Sequence, residues 1–181
     1  MNFKLFRQEC EKEKIPIISK NTERFIINLL EEKKPTNILE IWSAVWYSGL
    51  IMANTTKKRN GKVYSFEISS SSYLKAIQNR RTFKIWNIYF YNADFLKINL
   101  NKIINTFVDF VFIDWMKRSY LKYFLKSINH SLKGKTTFIF DDVIKYKSKL
   151  KDLYKFLEKN QIKYEIKKLD KDDGILIIKW I

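Results

Sequence analysis

The chain has 181 residues, 46% of them hydrophobic, and 35 Lys and Arg against 19 Asp and Glu give it a formal charge of +16. That length suits one domain able to bury roughly 70% of its unfolded surface, and no run approaches the ~20 apolar residues of a membrane helix. The only cysteine, Cys10, excludes an intramolecular disulfide and suits a reducing cytoplasm, while the only histidine, His130, argues against a histidine metal cage or a Ser-His-Asp triad. Any metal would need oxygen ligands.

Residues 1–14 are charged throughout and do not read as a secretory signal. Thr22–Glu32 sets Phe25, Ile26, Leu29 and Leu30 at helical spacing, and Pro35 follows. Asn37–Ile41 reads as a buried parallel strand, Tyr47–Thr55 as a helix and Lys62–Ile68 as a second strand. Ser72–Phe83 is a helix, Ile88–Asn92 a strand, and Phe107–Ile113 the clearest central strand. A helix over Arg118–Ser131, a strand over Thr136–Phe140 and a helix over Lys149–Lys159 come next. Tyr164–Leu169 and Ile175–Trp180 are extended runs joined through Asp172-Asp173-Gly174, a hairpin signal. Strands alternating with helices imply right-handed crossovers. The expected fold is an α/β, Rossmann-like doubly wound sheet of seven strands, mostly parallel with an antiparallel C-terminal strand. No linker or repeat interrupts it, so residues 1–181 are read as one domain.

Ligands of open α/β sheets sit beyond the carboxyl ends of the strands. Glu40, Glu67, Asp94, Asp114 and the pair Asp141-Asp142 stand at five successive strand ends. Scattered surface charge would put lysines there in so basic a chain. Carboxylates at one crevice suit ribose hydroxyls, an adenine amino group, a methionyl amine and a hard cation such as Mg²⁺.

From Ile15 to Lys179 the sequence resembles the cation-dependent O-methyltransferases of the catechol O-methyltransferase type, class I S-adenosylmethionine-dependent enzymes, and within them the bacterial tRNA 5-hydroxyuridine methyltransferase branch. Glu40–Ser48 (EIWSAVWYS) is similar to the family's E-I-G-x-x-x-G-Y-S, Ser65-Phe66-Glu67 to its ribose strand and Ala93-Asp94-Phe95 to its adenine segment. Phe112–Tyr120 matches F-I-D-x-x-K-x-x-Y, and Asp141-Asp142-Val143 matches D-D-V. The resemblance implies cofactor contacts at Ile18, Glu40, Trp42, Ser43, Tyr47, Ser48, Glu67, Ala93, Asp94 and Asp114. Residues 1–34 would be a helical segment covering that site. It implies a divalent cation, by preference Mg²⁺, on Asp114, Asp141 and Asp142, lowering the pKa of an acceptor hydroxyl. Lys117 would be the general base, its own pKa lowered by the metal and by burial.

Tryptophan stands where the family keeps glycine. Trp42 and Trp46 occupy both motif glycines, Trp115 follows the metal aspartate, and Trp86 sits in the turn before the third strand. At 42 and 46 an indole is expected to strain the turn and fill the cofactor pocket. The chain has only 4 glycines; counting its 5 tryptophans with them raises the share from about 2% to about 5%, nearer the ~7% average. Three explanations stay open: UGA codons read as tryptophan in a lineage that reads them as glycine, a degenerate protein that no longer binds cofactor, or genuine tryptophans to which the loops adapt.

The function expected is methylation of a hydroxyl, with tRNA 5-hydroxyuridine as acceptor. The alternatives are a catechol-type small-molecule acceptor and a non-catalytic RNA-binding protein with a blocked cofactor site. The basic charge draws polyanions, although AT-rich codons, which also enrich Ile, Asn, Tyr and Phe, produce the same lysine excess. The partners expected are tRNA or another RNA, with no membrane; a homodimer stays open, since the sequence does not set the oligomeric state. The location expected is the cytoplasm.

Overall fold

The computed structural model describes residues 2–41 and 46–179. Two N-terminal helices come first, α1 (Phe3–Lys12) and α2 (Lys20–Lys33). Each starts where a side chain can cap it: the Asn2 carbonyl accepts from the Lys4 amide at 2.8 Å, and Ser19 Oγ from the Thr22 amide at 3.0 Å. Then β1 (Asn37–Ile41), α3 (Tyr47–Thr56), β2 (Lys62–Glu67), α4 (Ser70–Phe83) and β3 (Ile88–Asn92) alternate. They are followed by β4 (Phe110–Ile113), α5 (Tyr120–Ile128), β5 (Thr137–Phe140), α6 (Lys151–Lys159), β6 (Glu165–Lys168) and β7 (Gly174–Lys179).

The sheet runs in the order β3-β2-β1-β4-β5-β7-β6. Every pairing from β3 to β5 is parallel, and β7 is antiparallel to both β5 and β6. The expected α/β fold with its reversed C-terminal strand is therefore the fold observed. Strand order reverses between β1 and β4, which opens a crevice at their carboxyl ends. Alternate side chains of each strand feed two apolar layers. One lies under α1–α4, with Ile26, Leu30, Leu50 and Ile88, and the other under α5 and α6, with Phe112's neighbours Val111 and Ile113, Phe124 and Leu157. Among the described residues no helix is long and apolar enough to cross a membrane.

Three local expectations change. The strand read from Phe107 begins only at Phe110; Phe107 is 52% exposed, and Asp109 turns aside to accept from the Thr36 and Asn37 amides at 2.9 Å each. The helix read from Arg118 begins as a 3-10 turn over Lys117–Ser119 and ends at Ile128. Gly174 belongs to β7 rather than to the hairpin turn, because a Cβ there would lie 2.2 Å from the Lys167 carbonyl oxygen. Trp180, read as the end of that strand, lies outside the described residues.

Scarce glycine leaves a mark on the backbone. Left-handed φ falls on Lys14, Lys34, Trp46, Asn60, Lys84, Met116, Asp142 and Gln161. Lys34 and Lys84 close α2 and α4 in the conformation that glycine takes most easily.

Candidate active site

A cleft of about 960 Å³ opens at the carboxyl ends of β4 and β5. One wall is the segment Pro16–Ser19, another is Asp114–Arg118 after β4, a third is Asp141, Asp142, Lys145, Tyr146 and Lys149 after β5, and the hairpin turn Asp170–Asp173 with Gly174 at the start of β7 closes it. The α2 cap joins two of these walls: Ser19 Oγ donates to Asp170 Oδ2 at 2.6 Å and Asn21 Nδ2 to Asp170 Oδ1 at 2.8 Å.

Lys117 is the centre of the charge. Its Nζ lies 2.5 Å from Asp114 Oδ1 and 2.9 Å from Asp142 Oδ2, with the lysine side chain only 11% exposed. The 3-10 turn after Met116 aims it there, and Asp142 reaches it from a left-handed backbone (φ 55°). Burial pushes the Asp114 carboxyl above the usual carboxylate range, against the pull of the Lys117 ammonium, and Asp142 adds to the rise. Asp141 is raised further by burial and by Asp114 and Asp142, and its backbone oxygen accepts from Tyr120 Oη at 2.9 Å. The carboxylates facing Lys117 set its charge. Burial works to lower its pKa, but Asp114 and Asp142 together outweigh burial and raise it, so the side chain is held as an ammonium.

The fourth carboxylate of the cluster, Asp173, was read in the sequence only as part of a turn. Its Oδ1 accepts from the Gly174 amide at 2.8 Å and the Ile144 amide at 3.1 Å, and Asp142 raises its pKa beyond what burial does. The donor set is all oxygen and carries more negative charge than one ammonium cancels, which is the chemistry a hard divalent cation fits. Among the described residues, however, no three such side chains are gathered closely enough to hold a metal ion as they stand. Lys117 bridges Asp114 and Asp142.

A second, smaller cleft of about 120 Å³ lies across β1–β4, walled by Ile41, Phe66, Ile68, Ala93, Asp94 and Phe95. Its walls are mostly apolar, with Asp94, Ser119 and Tyr123 as polar members; Asp94 Oδ1 accepts from the Leu96 amide at 3.0 Å. Ala93 and Asp94 thus line this cleft, and Glu67 is buried at the adjoining end of β2, where its Oε1 accepts from the Ser69 amide at 2.7 Å. Ile18 lines the large cleft.

Other expected contacts are placed beneath the crevice rather than in it. Glu40 is fully buried, with Ser48 and Ser65 donating to its two oxygens at 2.5 Å each. Gly49 must be glycine to clear it, since a Cβ would come 2.4 Å from Glu40 Oε2. Tyr47 points toward α1 and α2, donating to Glu23 Oε2 at 2.9 Å. Trp42 and Ser43 lie outside the described residues.

Trp46 meets half of its expectation. The backbone is left-handed (φ 63°, ψ 33°), the strain expected at a glycine position. The indole does not fill either cleft: it is wholly buried in the core, stacked on Phe90 at 4.2 Å between centroids and edge-on to Tyr73. Its Nε1 has no hydrogen-bond partner among the described residues. Trp115 instead lines both clefts and, with Met116, forms the ridge between them. Trp86 is 58% exposed under the Arg80 guanidinium, and neither it nor Trp115 has positive φ, so their backbones make no demand for glycine.

The fold recurs in solved structures. An SAH-bound methyltransferase from Podospora anserina matches with a TM-score of 0.86 at 16% identity, covering 100% of this chain and 88% of that one. An O-methyltransferase from Bacillus cereus in complex with SAH matches at 0.80 and 19% identity, over 98% of this chain and 90% of that one. TomG of Streptomyces achromogenes, an O-methyltransferase of tomaymycin synthesis in complex with SAM, matches at 0.82 and 16% identity, over 98% and 88%. The O-methyltransferase family model matches residues 3–179. The chain belongs to that family and is a class I S-adenosylmethionine-dependent methyltransferase.

Proposed function

We propose that this methyltransferase transfers its methyl group to a hydroxyl of an acceptor bound in the large cleft, with a divalent cation of the Mg²⁺ class as cofactor. The observation that carries the reading is the partly buried cluster of Asp114, Asp141, Asp142 and Lys117 beside the smaller, mostly apolar cleft. Asp114, Asp141 and Asp142 would hold the cation, which when bound supplies Lewis acidity that makes the acceptor hydroxyl easier to ionise. Ala93 and Asp94 receive the adenine, Glu67 the ribose, and Ile18 covers the cofactor from the N-terminal segment. Glu40, through Ser48, fixes the start of α3 under the same site.

Lys117 takes the acceptor proton at Nζ, and for that the amine must be neutral. Asp114 and Asp142 hold it charged when they face nothing else, so their engagement elsewhere is what releases the base. The resulting oxyanion then attacks the sulfonium methyl in line, and catalysis is mainly positioning.

For the acceptor we favour a tRNA 5-hydroxyuridine. Arg118, Lys145 and Lys149 line the cleft around Tyr146, a charged and aromatic mouth suited to phosphates and a base, on a chain of charge +16. The test is transfer of labelled methyl to tRNA carrying 5-hydroxyuridine and to a catechol, each with and without EDTA. Labelling of the tRNA that EDTA abolishes is the expected result. Labelling of the catechol alone would reassign the acceptor, and EDTA-insensitive transfer would remove the cation.

A further inference from the structure

We propose that Arg7 is a positioning residue for cofactor binding, fixing the segment that lines the large cleft against the first turn of α3. This rests on the reading that S-adenosylmethionine occupies the crevice. Arg7 lies on α1, none of whose described residues lines the large cleft, yet its side chain is only 8% exposed. Its Nη2 donates to the Ile18 carbonyl at 2.9 Å, and its Nε donates to Glu23 Oε2 at 3.0 Å and to Tyr47 Oη at 3.3 Å. The guanidinium carbon also stands 4.7 Å from the centroid of the Tyr47 ring. Tyr47 Oη in turn donates to Glu23, so α1, α2, α3 and the segment at Ile18 meet on one planar group.

The two far ends of this network are what matter. Ile18 lines the cleft, and Tyr47 is the residue on which α3 starts. A buried ion pair is weak evidence for stability, because apolar residues of similar volume often do as well. The arginine's use is geometric: its rigid fork holds several acceptors at set directions, which a lysine point charge does not. A cleft wall and a helix start held in place before the cofactor arrives lower the ordering cost of binding.

The test replaces both charges together, Arg7→Met with Glu23→Gln, so that no buried charge is orphaned, with Arg7→Lys as companion. Three quantities are read: amide hydrogen exchange over residues 15–22, S-adenosylmethionine affinity by calorimetry, and KM against kcat. The double variant is expected to lose amide protection in that segment and to bind cofactor about tenfold more weakly. The KM for cofactor should rise in step while kcat changes less than about threefold. Arg7→Lys should fail to restore the affinity. Affinity within about twofold of wild type, or kcat, KM and melting temperature falling together, would overturn the proposal. Wild-type protein that binds no S-adenosylmethionine would sink the cofactor reading instead, and unchanged protection over residues 15–22 would then overturn the positioning claim by itself.

Discussion

Trp46 offers a measurement whose sign reports the backbone directly. Replacing it by alanine or by glycine removes the same indole, its stack on Phe90 and its buried, unpartnered Nε1. Loss of a large aromatic from a core costs about 3–5 kcal/mol, and removing an orphaned buried donor returns about 1–3 kcal/mol, so both variants should be destabilised by roughly 2 kcal/mol. They differ only in a Cβ at φ 63°. At that φ a Cβ costs roughly 1–2 kcal/mol, against about 0.5–1 kcal/mol for the extra freedom of glycine in the unfolded chain. The Trp46→Gly protein should therefore be about 0.5–1 kcal/mol more stable than Trp46→Ala, the reverse of the ordinary order. Urea unfolding followed by circular dichroism, with both variants at one protein concentration, measures the difference. An alanine variant as stable as the glycine variant, or more so, would refute a left-handed residue 46 and with it the structural case for glycine there.

Other outcomes follow from the same geometry. Trp115→Ala lowers the ridge between the two clefts and should tighten S-adenosylmethionine binding more than Trp46→Gly does, because only Trp115 lines them; calorimetry on the two variants compares them. Lys84→Gly relieves the left-handed end of α4 and should stabilise the protein by about 0.5–1 kcal/mol in urea, where a loss would contradict that cap. Burial pushes the Cys10 thiol up to about 11, so at pH 8 it is protonated as well as covered. It should resist iodoacetamide until the chain unfolds, and rapid labelling of native protein would count against the packing of α1.

The central strands were legible because parallel strands buried on both faces read as unbroken apolar runs, as in Asn37–Ile41; the edge strand Ile88–Asn92, exposed at alternate residues, was carried by its aromatic and β-branched run, and both match residue for residue. Phe107 misled because an aromatic in such a run looks like core, whereas Asp109 spends its side chain on the start of β1. The acidic strand ends were readable from topology alone. Their company was not: Asp173 looked like a turn residue, and the pairing of Arg7 with Glu23 and Tyr47 joins helices through contacts that no local pattern encodes. The direction of the Trp46 indole was equally hidden, since sequence position marks the backbone demand but not which side of the loop has room. Lys117 was singled out from its motif, but its charge state depends on how many carboxylates face it.

The account turns on whether the carboxylates of the large cleft take a divalent cation in place of the Lys117 ammonium. Mn²⁺ titrated into the protein and followed by the electron paramagnetic resonance of the free ion measures this without any acceptor. The account predicts one ion bound per chain, with binding lost in Asp142→Asn and strengthened in Lys117→Ala, where the competing ammonium is gone. No bound Mn²⁺ in the wild-type protein or in Lys117→Ala would contradict it.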